Sequence, residues 1–331
     1  MSKYYFLIAG LPTVAFEGSK PPYSVLEFEE KLAEHATKAD MRLLELLQLK
    51  IDTKNLLEQL QNPDYELTEG GKVTADEINV LISGVQAEFD SIKAFEAYNE
   101  KYRQEKEEEK NKDYFDRYYN KIRKLKIKIN TFKNKNNRLP AYFEKFTRIY
   151  LTSIENGENS TIPWEDRLSS MYYEYAMKRS NAFLSAWFEL NLNINNIYTA
   201  LTCRKYKLDR ALYIVGDTEV SNKLRTSVAR DFDLGESLAY FTAVSHIAGD
   251  PEILQRELRT DQLKWEWLDE RIFPQVFGVE NVIIYWLKLE MLERWSTLDK
   301  AEGEKAFRQI VGAMKKSSSY VLEEFKRNNK K

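Results

Sequence analysis

Apolar side chains recur at helical spacing along most of the chain. The pattern begins near Leu26, runs through Leu32 and Leu43 to Leu47, and returns in several later segments. One face of an α-helix buries residues at such intervals, so the chain predicts helices from end to end. The opening run, Tyr4 to Ile8, is continuously apolar and precedes a loop rich in Gly and Pro, so we predict a short extended segment there and nowhere else. The fold class is therefore all-α, with long-helix bundles and one short N-terminal extended segment.

Capping residues suggest where the longest helices begin. Thr74 and Glu77 have the spacing of a capping box, and the sequence behind them predicts a helix of about 35 residues. Pro163 suits the first turn of another long helix that continues through Phe188. Asp52 and Asn193 are interpreted as N-caps that follow the end of a preceding helix.

Composition narrows the classes of function. The 331 residues carry 50 Lys and Arg against 52 Asp and Glu, a formal net charge of −2, which gives the whole molecule no attraction for nucleic acid. Only 12 Gly and 8 Pro interrupt the chain, which favours long helices. The single cysteine, Cys203, excludes an intramolecular disulfide and a multi-cysteine metal site. We expect a cytoplasmic protein that meets a membrane only peripherally, on its inner face.

No catalytic, cofactor-binding or metal site is predicted. The sequence has no phosphate-binding loop, dinucleotide fingerprint, zinc-protease motif or nucleophile elbow, and its two histidines, His35 and His246, lack metal-ligand spacing. Glu290 and Glu293 lie one helical turn apart and resemble paired carboxylates. Ion pairs with Lys288 or Arg294 are the favoured interpretation of these two glutamates.

A basic segment interrupts the balance of charge. Residues 117–138 hold nine Lys or Arg and no Asp or Glu, with apolar residues still at helical intervals. We predict one arm of a charged helical hairpin over 73–139. Its basic face is either simply solvated or binds anionic lipid or an acidic protein.

Two segments of the chain have similar sequences. LQLKIDTKNLLEQL (47–60) and FELNLNINNIYTAL (188–201) place Asp52 and Asn55 opposite Asn193 and Asn196, 141 positions further on (196 minus 55). Each segment is predicted to form a helix-turn-helix corner, and we call the two the first corner (47–60) and the second corner (188–201). Either the two corners arose independently and share capping chemistry, or the chain contains a duplicated helical module.

The last third of the chain resembles a known family. The stretch from Arg259 to Trp295 is similar to the closing region of the C subunit of V-type (A-type) ATPases, which eukaryotes call the d subunit. The matching positions are Phe277, Glu280, Tyr285, Lys288 and either Glu290 or Glu293. Both corners resemble that family's D-x-x-N-[IL] motif, and Arg204-Lys205-Tyr206 falls where the family has an L-R-x-K-x-x-G turn.

A second resemblance joins the start of the chain to its end. The opening YYFLIAGLP and the region from Leu263 to Trp295 resemble an uncharacterised bacterial family that is encoded among V-type ATPase genes in Bacteroidetes-type genomes.

These resemblances imply a fold and a function. They imply two or three related helical lobes forming a funnel, which binds the proteolipid rotor ring on one side and the central-stalk subunits on the other. Such a subunit has no active site and transmits torque during proton or sodium transport. The expected organisation is an N-terminal segment and first module (1–72), the charged hairpin (73–139), a second module (140–250) and a C-terminal module (251–331).

Ten residues are candidates for structure or interaction on this view. They are Asp52, Asn55, Asn193, Asn196, Arg204, Lys205, Tyr285, Lys288, Glu290 and Arg294. The alternative function is a free-standing helical scaffold that binds a partner protein or an anionic membrane through its basic hairpin.

Overall fold

The computed structural model describes residues 4–16, 21–105, 139–157, 162–272 and 277–297, and within these ranges the chain is helical with no strand. This confirms the all-α class. The predicted basic helix 117–138 lies outside the described residues, as does the stretch from about Ala301, whose sequence predicts a last helix. In chain order the helices are α1 (Tyr5–Ala9), α2 (Val25–Ala33), α3 (Lys38–Gln61), α4 (Ala75–Glu105), α5 (Ala141–Glu155), α6 (Trp164–Arg179), α7 (Ala182–Tyr206), α8 (Arg210–Tyr213), α9 (Glu219–Thr226), α10 (Phe241–Ala248), α11 (Ile253–Asp269) and α12 (279–297).

The chain divides into two compact units. One combines Met1–Met41 with Asp250–Lys331, and the other is Arg42–Gly249. We call them the terminal unit and the central unit. The four-part organisation expected from the sequence stays a prediction.

Helix α7 organises the central unit. It packs against α6, α8, α9 and α10, while α4 packs against α5 and α5 against α6. Its buried side chains include Leu184, Trp187, Phe188, Leu190, Leu192, Ile194 and Ile197. Such large apolar side chains, removed from water together, supply most of the driving force for folding.

In the terminal unit, α2, α11 and α12 supply most of the described core. Phe28 is fully buried and its ring lies 5.1 Å from that of Tyr285, centroid to centroid. Helix α12 buries a continuous stretch from Val282 to Leu289. Ser24 starts α2 with a capping box, since its hydroxyl accepts from Glu27 N while Glu27 accepts from Ser24 N.

The capping box predicted at α4 is confirmed. Glu77 N donates to Thr74 Oγ1 over 3.3 Å, and Thr74 N donates to Glu77 Oε2 over 3.0 Å. These bonds satisfy backbone donors that an α-helix leaves unpaired in its first turn.

The extended segment predicted at the N-terminus is wrong. Residues Tyr5–Ala9 form the short helix α1, in which Ile8 N donates to Tyr4 O over 2.9 Å. A strand needs a neighbour to satisfy its backbone groups, whereas a helix satisfies them within itself. The Tyr4 hydroxyl also donates to Asp40 over 2.5 Å, which anchors the start of α1 to α3.

The predicted helix starts at Asp52 and Asn193 are also wrong. Both residues lie inside uninterrupted helices, α3 and α7, and both are buried. The long helix predicted from Pro163 is instead two helices, α6 and α7. They separate at Ser180, which is extended, and Asn181 caps α7 by accepting from Leu184 N over 2.9 Å.

Among the described residues, no helix is long and apolar enough to cross a membrane.

Candidate functional site

The first corner is built on the buried face of α3. The Asn55 side chain donates from Nδ2 to Thr68 O over 3.1 Å and accepts at Oδ1 from Thr68 N over 3.0 Å. Asp52, one helical turn earlier, accepts from Lys72 N over 3.2 Å and from Val73 N over 3.0 Å. These four bonds fix the loop between α3 and α4 against the helix.

The second corner repeats this arrangement on α7. Asn196 donates from Nδ2 to Val215 O over 2.7 Å and accepts at Oδ1 from Val215 N over 3.0 Å. It also donates to Ser221 Oγ over 3.1 Å, which ties the loop to the first turn of α9. In each corner, the side chain of a buried asparagine therefore binds both the N–H and the C=O of one loop residue. We call this pair of bonds the clasp.

The two corners also resemble each other in the glycines of their loops. Gly70 and Gly216 both have positive φ, +93° and +77°. A Cβ at Gly70 would lie 3.1 Å from Ile51 Cδ1, and one at Gly216 would lie 3.0 Å from Leu192 Cδ2. Ile51 and Leu192 are again 141 positions apart (192 minus 51), so the same helix position meets the same kind of loop residue in each corner.

The two corners differ at Asp52 and Asn193. Asp52 binds backbone N–H groups, whereas Asn193 donates from Nδ2 to the Tyr240 hydroxyl over 2.9 Å, and its buried Oδ1 has no partner among the described residues. Burial raises the pKa of Asp52, while the N–H groups of Val73 and Lys72 and the Lys72 charge lower it. The balance raises the pKa of Asp52 above its usual range, with burial as the largest cause.

Sequence reasoning missed the neighbours of Asp52 and Asn55. Thr53 and the Tyr142 hydroxyl lie 2.7 Å apart, and Gln59 donates to Pro63 O over 2.8 Å. Burial raises the pKa of Tyr142 far above its usual range. The available signal is that Thr53 and Gln59 lie on the same helix as Asn55, but the distant Tyr142 gives none.

Arg204 and Lys205 have different surroundings at the end of α7. Arg204 donates from Nη1 to Arg230 O over 2.6 Å and from Nη2 to Ala229 O over 2.7 Å. Its guanidinium lies 3.7 Å from the ring centroid of Phe232, which is fully buried. Lys205 is exposed, with its ammonium 5.4 Å from the ring of Tyr206.

Three of the candidates on α12 bind other parts of the terminal unit. The Tyr285 hydroxyl donates to Pro12 O over 3.1 Å, and burial, together with Tyr23, raises its pKa to about 12. Lys288 pairs with Asp269 and lies 4.6 Å from the ring of Trp265. Arg294 pairs with Asp261, to which Trp295 Nε1 also donates over 2.9 Å.

The two glutamates on α12 lie apart from these pairs. Glu290 is exposed, and Glu293 accepts from Val25 N over 3.3 Å. The favoured interpretation gave them Lys288 or Arg294 as partners, but these cations pair with Asp269 and Asp261 across the α11–α12 contact. Aspartates have shorter side chains than glutamates, so they lose less side-chain entropy when an ion pair fixes them.

The candidates therefore form separate groups: two corners, the end of α7, and α12. Among the described residues, no group of three or more His, Cys, Asp or Glu is placed to hold a metal ion. What these groups do chemically is to fix loops and helix pairs in position.

Comparison with known proteins gives a family but no relative of described function. A family model described as "Protein of unknown function (DUF2764)" matches residues 1–128 and, in a second alignment, 96–318. No curated protein and no solved structure matches the chain.

Proposed function

Because the chain belongs to the DUF2764 family of proteins of unknown function, we propose its role from its own residues: it is the central-stalk coupling component of a V-type ATPase. It links the membrane rotor ring to the stalk and transmits torque during proton or sodium transport. It acts without an active site of its own, as an accessory peripheral to the inner face of the cell membrane.

The main support is the shared geometry of the two corners. Asn55 and Asn196 clasp Thr68 and Val215 by the same two bonds, beside glycines of positive φ. Two asparagines 141 positions apart (196 minus 55) that hold their loops by the same bonds favour a duplicated module over two independent corners. Related helical lobes are what the resemblance to the C subunit of V-type ATPases implies.

Stiffness is the second support. A protein that passes torque between a ring and a stalk must resist shear, and densely packed helices with fixed loops do so. In the central unit each corner ties a loop to a long helix, and in the terminal unit two ion pairs hold α11 and α12 together.

The decisive experiment is purification of the affinity-tagged chain from its native source in mild detergent, followed by mass spectrometry. Recovery of the catalytic subunits together with the rotor-ring proteolipid is the expected result. A second arm deletes the gene and measures ATP hydrolysis and ion transport in membrane vesicles. Hydrolysis that continues without transport is expected, because the link between stalk and ring is lost.

The contrary results are equally definite. A chain that purifies alone, from cells whose ATPase stays coupled after deletion, would overturn the proposal. Binding to anionic liposomes that falls steeply with salt, in a chain without ATPase partners, would identify the free-standing scaffold instead.

A further inference from the structure

The end of α7 and the loop after α9 form one exposed surface in the central unit. We define the 206/228 patch as Lys205, Tyr206, Lys207, Leu208, Val228 and Arg230. Tyr206 is 63% exposed, Leu208 48% and Val228 94%. Isolated apolar side chains on a surface are ordinary, but three exposed ones on two joined stretches, with cations at neighbouring positions, are the composition of an interaction site.

Two arginines bring the patch together. Arg204 donates to the carbonyl groups of Ala229 and Arg230, and Arg210 donates to Ser227 O over 2.9 Å. The segment 227–230 is therefore fastened at both ends to the stretch 204–210. Val228 consequently lies beside the stretch that carries Tyr206 and Leu208.

The loop that carries Val228 is fixed in shape. Both guanidinium groups lie over the buried Phe232 ring, at 3.7 Å for Arg204 and 5.2 Å for Arg210. The Ser227 hydroxyl donates to Asp233 over 2.5 Å. A surface that is already ordered loses little conformational entropy when a partner binds.

Backbone strain accumulates around the same place. Within the described residues, positive φ outside glycine occurs only at Lys207 (56°), Phe232 (54°) and Asp233 (58°). Lys207 ends α7 in the left-handed conformation, with Leu208 N donating to Cys203 O over 2.8 Å. Glycine would adopt this conformation without cost, whereas lysine here places a long cation beside Tyr206 and Leu208.

The six residues of the patch include three cations and no carboxylate. Lys205, Lys207 and Arg230 make no ion pair with any residue that the structure describes. The nearby carboxylates bond within their own loops and form no ion pair with these cations: Asp209 accepts from Ala211 N, Asp231 from Asp233 N, and Asp233 from Ser227. Burial and the neighbouring Arg210 charge lower the pKa of Arg204, although Asp231 opposes this.

We propose that the 206/228 patch docks an acidic amphipathic segment of a partner protein, with apolar side chains on Tyr206, Leu208 and Val228 and carboxylates beside Lys205, Lys207 and Arg230. Apolar anchors surrounded by complementary charge give affinity at the centre and orientation at the rim. The inference rests on the proposed function and deepens it, since the expected partner is a stalk protein of the ATPase.

The test places a photo-cross-linking amino acid at Val228 in the tagged full-length chain, in its native cells. Illumination and mass spectrometry then identify the cross-linked peptide. The expected product is an acidic stretch with apolar residues at helical spacing. Double charge reversal, Lys205→Glu with Lys207→Glu, should lower its yield about tenfold. Reversal of the exposed pair Lys50 and Lys54 on α3 is the matched control and should leave the yield unchanged.

Each outcome decides the proposal. Three results would overturn the docking surface. They are a cross-link to lipid, a protein cross-link whose yield does not change on charge reversal, and a yield no higher than that from a probe at the exposed Ile154. A charge-dependent cross-link to an acidic segment from outside the ATPase would support the patch and refute the coupling role. Copurification of the ATPase with no cross-link at Val228 would support the coupling role and refute the docking surface. Circular dichroism confirms that each variant stays folded.

Discussion

Asn55 and Asn196 occupy equivalent places in the fold: each lies buried in a long helix and holds the backbone N–H and C=O of one residue in the following loop. The bonded loop residue is 13 positions later in the first corner and 19 in the second. Most of the difference lies in the helices, because α7 continues ten residues beyond Asn196 (206 minus 196), whereas α3 continues six beyond Asn55 (61 minus 55). The clasp therefore persists although the loop it holds has changed, so the clasp is the part of the corner that the fold requires.

Replacement of either asparagine by alanine should destabilise the protein substantially. Asn55→Ala leaves Thr68 N and O without their side-chain partners, and Asn196→Ala does the same at Val215. We expect each to lower the free energy of unfolding by about 2–3 kcal/mol, measured by chemical denaturation. Lys54→Ala, at an exposed neighbouring position, should change it by less than about 0.5 kcal/mol. Equal effects of Lys54→Ala and Asn55→Ala would show that the clasp contributes nothing.

Two glycines provide a matched test of the first corner. A Cβ at Gly71 would lie 2.2 Å from Asp52 Oδ1, so Gly71→Ala must displace the carboxylate from Lys72 N and Val73 N. We expect a loss of about 1–3 kcal/mol in the free energy of unfolding. Gly84, inside α4, has nothing within 4 Å of its added Cβ, so Gly84→Ala should stabilise by about 0.5–1 kcal/mol. Thermal unfolding of both variants separates the two cases, and stabilisation by Gly71→Ala would contradict the described contact.

The sequence predicts the fold class and the important positions better than their roles. Periodicity alone indicates an all-α fold, and the echo of 47–60 in 188–201 identifies both asparagines. The capping role predicted for Asp52 and Asn193 fails because Asp and Asn are common both at helix starts and at buried positions where a loop needs a partner. Nothing local separates the two, since the bonded loop residues follow at different distances. The ion partners of Lys288 and Arg294 fail for a related reason: only tertiary packing brings α11 against α12.

Asp52 should make stability depend on pH in a defined direction. Burial raises its pKa in the folded state, so between the unfolded value, about 3.9, and the raised value the folded protein binds more protons than the unfolded one. Its contribution to stability therefore falls as pH rises through this window. We expect the free energy of unfolding of the wild type, minus that of Asp52→Asn, to fall over this window and then to level off.

Denaturation at a series of pH values measures this difference. Asp64→Asn, at an exposed carboxylate, is the control. A wild-type advantage over Asp52→Asn that grows with pH would mean that the N–H groups of Lys72 and Val73 outweigh burial, contrary to the expected direction.

The Lys288–Asp269 pair in the terminal unit should be asymmetric. The Lys288 side chain is 6% exposed and that of Asp269 50%, so removing the carboxylate leaves a buried ammonium, whereas removing the ammonium leaves a carboxylate that water reaches. We expect Asp269→Asn to cost about 1–3 kcal/mol in the free energy of unfolding, and Lys288→Met, which keeps the stem beside Trp265, less than about 1 kcal/mol. The double variant should match Lys288→Met, because no buried charge remains. Chemical denaturation of the three variants tests this, and a double variant less stable than Asp269→Asn alone would refute the pairing.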